Sequence, residues 1–253
     1  MSGTTTPAAS RPSQDAIDRL MWKLRLKTPL IAVYDAPASD EFAPLAEAEP
    51  ETCCFAFYDR WVGGETLVLR RGGGGCKGAF RALGLEKGGD PNVIAHMLTD
   101  GVGAPKAEGL KASADIALAA IESGKTPTPS FDTVLVGPLR VDQWPAVRSV
   151  TFLVDPDRLA AVMTLAAFWS PDDVVSAPFG SGCSFLWKSL GQGEGPLAII
   201  GGTDVAMRRF LPTAILTLTV APSHFVKMLA APEDSFLDRD WWNELMDTRG
   251  RWA

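Results

Sequence analysis

The chain has 253 residues, 46% of them apolar and 21% charged, with a formal net charge of −6. That composition suits one globular unit near the upper end of what a single core can organise, and it excludes a disordered or collagen-like chain. No apolar run approaches the ~20 residues of a membrane span, and no Lys/Arg block offers the electrostatic footprint of a nucleic-acid binder.

Residues 1–14 are rich in Ser, Thr, Pro and Ala and lack an apolar stretch behind a basic start. They read as a disordered tail rather than a signal peptide, which argues for the cytoplasm. Asp15 to Leu26 follows as an amphipathic helix, with Ile17, Leu20, Met21 and Leu24 at helical spacing. Pro29 to Tyr34 reads as a buried strand and Asp35 to Glu51, rich in Pro and acid, as loop. Cys54 to Trp61 predicts a short helix, Glu65 to Arg70 a strand, and Cys76 to Leu83 a second short helix after the glycines 72–75. Ser113 to Ser123 is helical. Strands are expected at Val134–Val136 and Val150–Val154. Asp155 as N-cap and Pro156 at the first helical position then start a helix with Leu159, Val162, Met163 and Ala166 on one face. Leu197 to Ile200 and Ile215 to Val220 are further strands, and Asp238 to Met246 reads as a C-terminal docking helix.

Two stretches repeat one another. Cys54, Gly64-Glu65, a strand, a glycine turn and Ala79-Phe80-Arg81 are echoed by Cys183, Gly193-Glu194, a strand, Gly201-Gly202 and Ala206-Met207-Arg208. Upstream, Ile31 to Asp35 parallels Thr151 to Asp155. The expected fold is therefore mixed α/β: two related half-domains, about residues 15–125 and 131–231, forming one duplicated domain with a pseudo-two-fold axis, followed by a docking helix within 232–253.

Four cysteines in a chain of this size and compartment are not expected to form a disulfide framework. Cys54, Cys76 and Cys183 each fall at an expected helix start, where free N–H groups and a partial positive charge favour thiolate. Lys77 adds charge beside Cys76, and the preceding glycines would let amides approach an anion or cluster sulfides. Three thiolates suit a [4Fe–4S] cluster with one open iron, or another thiophilic metal. Cys53 is the expected bystander, because its neighbour Cys54 carries the repeat. Arg208, matched with Arg81, is a candidate clamp for an anionic ligand. Glu65, Glu194 and Asp204 are candidate acid–base groups that more often sit solvated in loops. Histidines number only two, His96 and His224, both read as structural, which argues against Ser-His-Asp chemistry or a His-rich metal site. The glycine loop at 72–78 lacks the Gly-Lys-Ser/Thr of a phosphate-binding loop.

The pattern also resembles the uncharacterised prokaryotic family DUF169. The resemblance rests on Pro29-Leu30-Ile31-Ala32-Val33, on Cys54 followed by Gly64-Glu65, and on Cys76-Lys77-Gly78-Ala79 leading into Leu83-Gly84-Leu85. Gly182-Cys183 followed by Ile200-Gly201-Gly202-Thr203-Asp204 completes it, continuing through Arg208-Arg209-Phe210-Leu211-Pro212 to Leu216–Val220. It implies cysteines at positions resembling Cys54, Cys76 and Cys183 and no settled activity. Where the family often shows Cys-x-Gly-Gly-Ala, this chain is one glycine short. Three expectations stand: a three-cysteine cluster or metal site working on a small anionic substrate; a non-catalytic small-molecule or protein-binding module with packed cysteines; and a thiol enzyme with Cys76 as nucleophile.

Overall fold

A computed structural model describes residues 10–35, 42, 45–50, 52–86, 90–123, 132–172, 174–177, 197–231 and 235–249. Its frame is one mixed sheet of eight strands: β1 (Ile31–Asp35), β2 (Leu45–Glu47), β3 (Thr66–Arg70), β4 (Thr133–Pro138), β5 (Val147–Val154), β6 (Val175–Ser176), β7 (Ala198–Gly201) and β8 (Leu216–Val220). The order is β2-β3-β4-β1-β5-β8-β7-β6. Read from either edge, the sheet repeats. A short edge strand lies parallel to its neighbour (β2 on β3, β6 on β7), and the remaining pairs are antiparallel. The central pair, β1 with β5, joins the two stretches matched in sequence. This symmetry is a property of the topology; common descent of the halves remains a reading of the sequence. Edges of three and two residues expose little unpaired backbone.

Helices cover both faces. On one lie α1 (Gln14–Lys23), α6 (Pro156–Ala167), α7 (Pro222–Leu229) and α8 (Asp240–Arg249). Their buried residues share a cluster with the inward side chains of that face, among them Tyr34, Val68, Leu135, Phe152 and Leu218. The N-caps follow the sequence: Ser13 accepts from the Ala16 amide, and Asp155 from the Arg158 amide at 2.9 Å. α8 docks through buried Trp242 and Met246, and the Trp242 indole donates to the Lys23 carbonyl at 3.0 Å. Its start, Asp240, comes two residues after the expected Asp238, because a 3-10 turn over Phe236–Asp238 precedes it.

The opposite face carries the cysteines. There a 3-10 turn (Cys54–Phe57), α2 (Tyr58–Val62) and α3 (Lys77–Leu83) close over β1, β3 and β4. Strand alternation aims Ile31, Val33, Leu67, Leu69, Val134 and Val136 at Phe55, Trp61 and Phe80. Each such buried side chain contributes roughly 1.5–3 kcal/mol. α4 (Pro91–Met97) and α5 (Ala114–Ser123) pack on each other between β3 and β4 in the chain. None of the described helices is long and apolar enough to cross a membrane.

Candidate thiol site

Chain geometry brings the two described candidate cysteines to one corner. Pro50 forms an isolated parallel bridge with Gly75, four residues before Cys54 and one before Cys76. Gly74 explains why this contact needs glycine: a Cβ there would stand 1.8 Å from the Ala48 carbonyl oxygen. The glycine run thus permits close approach, but to the backbone at Ala48–Glu49. Gly75, at φ +124°, has a side-chain-forbidding backbone and packs against Leu69 and Phe80.

Cys54 opens the 3-10 turn and is 2% exposed. Cys76 is the N-cap of α3 and half-buried. Both belong to the apolar cluster that holds Phe55, Trp61 and Phe80, Cys54 within it and Cys76 against it. Cys53, the expected bystander, also packs against that cluster, as the extended residue before the turn. Cys183, with Gly182, Gly193 and Glu194, lies outside the described residues, so the third ligand of the expected set has no position here. Lys77 is the first residue of α3. Among the described residues no group of three His, Cys, Asp or Glu side chains is arranged to hold a metal ion.

One polar atom in this cluster stands out. The Trp61 indole is buried, packs edge-on against Phe55 at 6.0 Å, and its Nε1–H has no hydrogen-bond acceptor among the described residues. A buried donor without an acceptor costs about 1–3 kcal/mol, and it suits a site that receives an electron-rich group. The thiol donor set has the softness that Fe–S clusters, Zn or Cu(I) require.

The remaining candidates are placed differently. The Arg208 guanidinium donates to the carbonyls of Gly202 (3.2 Å), Pro212 (3.1 Å), Thr213 (2.7 Å) and Ile215. It fastens the loop between β7 and β8. Glu65 pairs with Arg60 at 2.6 Å, and that guanidinium holds its carboxyl below the usual carboxylate range. Asp204 accepts from the Ala206 amide at 2.9 Å, a turn-forming contact. His96 pairs with Asp100 at 2.9 Å on the α4 surface. His224 is buried in α7, where its Nε2–H donates to the Ala166 carbonyl at 2.7 Å and burial lowers its pKa.

A family model for DUF169, described as uncharacterised ArCR, matches residues 19–231. The chain belongs to the DUF169 family. No curated protein and no solved structure matches it. In this DUF169 protein the match spans both halves of the sheet and ends before α8 begins.

Two features escaped the sequence. Asp35, at the end of β1, forms an ion pair with Arg148, whose guanidinium also donates to the Leu83 carbonyl at the end of α3 at 2.8 Å. Arg148 sits where the β1–β5 register shifts, and no periodicity announces that. The other is Thr217, fully buried on β8, whose hydroxyl has no partner among the described residues. The alternating Leu216-Thr217-Leu218-Thr219 was the available signal.

Proposed function

We propose that this cytoplasmic protein binds an iron–sulfur cluster or another thiophilic metal through Cys54, Cys76 and Cys183. The supporting observation is that Cys54 and Cys76 share one apolar cluster, on segments joined by the Pro50–Gly75 bridge. Bound there, such a group supplies one-electron redox chemistry or a Lewis-acidic metal for a small anionic substrate. The chain's own part is to exclude water with Phe55, Trp61 and Phe80, and to offer the Trp61 N–H as a donor. Hydrogen bonds and a dry surround of this kind tune the group that thiolates hold.

Anaerobically purified protein is expected to be brown, with iron and acid-labile sulfide in comparable amounts. Cys54→Ser and Cys76→Ser should each lose the metal, and Cys53→Ser should keep it. Colourless protein without transition metal after anaerobic reconstitution overturns the reading. Cys54 lies inside the apolar cluster, which favours the second reading in that event: packed cysteines in a non-catalytic binding module. Rapid single-site alkylation of Cys76 would instead mark a thiol enzyme.

A further inference from the structure

Among the described residues, one cavity is lined by no described cysteine. It is a cleft of about 810 Å³ between the C-terminal end of α1, the start of α6 and α8, well within the size range of small-molecule sites. Its rim carries Arg25, Lys27, Arg158 and Arg249 against Asp155 and Asp247, an excess of positive charge. Three of these cations are committed. Arg25 pairs with Asp247 at 3.0 Å, Arg249 with Asp157 at 2.8 Å, and Arg158 with Asp155 while donating to the Leu24 and Arg25 carbonyls. Lys27 is exposed, and its ammonium has no hydrogen bond or ion pair among the described residues.

The cleft is built rather than incidental. Arg25 takes a left-handed backbone (φ +51°) just past the end of α1, a place usually given to glycine. A non-glycine residue is strained there, so the side chain earns its position through Asp247 and Asn243 of α8. The floor is apolar, with Met21, Leu26, Leu153 and Met246, and the Trp22 indole stands 76% exposed at the edge.

We infer that this cleft binds an amphipathic organic acid, its carboxylate drawn to Lys27 and the guanidinium rim and its apolar or aromatic body laid over Trp22, Met21 and Leu153. α8, which forms one wall, lies beyond the family match, while the walls from α1, β5 and α6 lie within it. It is independent of the thiol reading, since no described cysteine lines it.

The test uses the full chain with phenylacetate as probe and 2-phenylacetamide as its uncharged counterpart, followed by calorimetry and thermal shift. Phenylacetate is expected to bind saturably and to raise Tm, the amide to bind about tenfold more weakly, as loss of one charge-assisted contact implies. Lys27→Gln should fold with unchanged Tm and weaken phenylacetate binding by a similar factor. Met246→Trp, which fills the cleft, should abolish binding. The inference is overturned if phenylacetate does not bind, if the amide binds equally well, or if both variants bind as the parent does.

Discussion

The two halves of the sheet share a strand order but not a chemistry. On the cysteine-bearing face, the first half presents Ile31, Val33, Leu67, Leu69, Val134 and Val136, all branched and aliphatic. The same face of the second half mixes Leu153 and Ile199 with Ser149, Thr151, Thr217 and Thr219, each at most 3% exposed. Threonine is nearly isosteric with valine, so shape does not separate the halves; hydrogen bonding does. Thr151 and Thr219 bond to each other at 2.8 Å across the β5–β8 pair, and the Thr217 hydroxyl has no partner among the described residues. Topology fixes where strands lie, and side chains then assign the first half to packing and the second to polarity. A buried hydroxyl without a partner costs stability.

The largest expected break is in the aliphatic half. Trp61→Ala removes a fully buried ring from the cysteine cluster and should cost about 3–5 kcal/mol by urea unfolding. Gly74→Ala comes next. Its Cβ would meet backbone rather than a side chain, so the loop must move off Ala48, with a cost of about 3 kcal/mol at the upper end of overpacking effects. Any metal held between Cys54 and Cys76 should be lost with it. A reciprocal swap sharpens the contrast. Val136→Thr should destabilise by about 1–3 kcal/mol, whereas Thr217→Val should be neutral or stabilising by up to about 1 kcal/mol. Equal costs for the two would erase the distinction between the halves.

The smallest effect is on pH. His224 is held neutral by burial, with its Nδ1 lacking a partner among the described residues. Its folded pKa lies below the unfolded value of 6.5. Its contribution is therefore intact above pH 6.5 and declines as pH falls below that value towards the folded pKa. Urea midpoints at pH 7.5 and 5.5 should show the parent's advantage over His224→Gln shrinking at the lower pH.

Much of the architecture was legible in the sequence because periodicity and caps agree. Asp155-Pro156 started α6 as expected, and Ser13 brought the start of α1 one residue ahead of Asp15. β2 and β6 were not legible: strands of three and two residues are too short to show alternation, and β2 lies in a Pro- and acid-rich stretch read as loop. α4 has no counterpart among the expected elements, although Asp90 caps it and Pro91 opens it. At the site, sequence placed Cys54 and Cys76 at helix starts but could not say what the glycines approach. Nor could it say where an arginine's donors go, and the carbonyls gathered around Arg208 come from tertiary contacts spread over Gly202 to Ile215.

The most direct test of thiolate ligation is X-ray absorption at the metal edge on anaerobically prepared protein, compared with Cys54→Ser. The parent should show a sulfur shell near ~2.3 Å, as metal thiolates do, and the variant should have a depleted one. A first shell made only of oxygen and nitrogen, unchanged by the substitution, would contradict the assignment of these sulfurs as ligands.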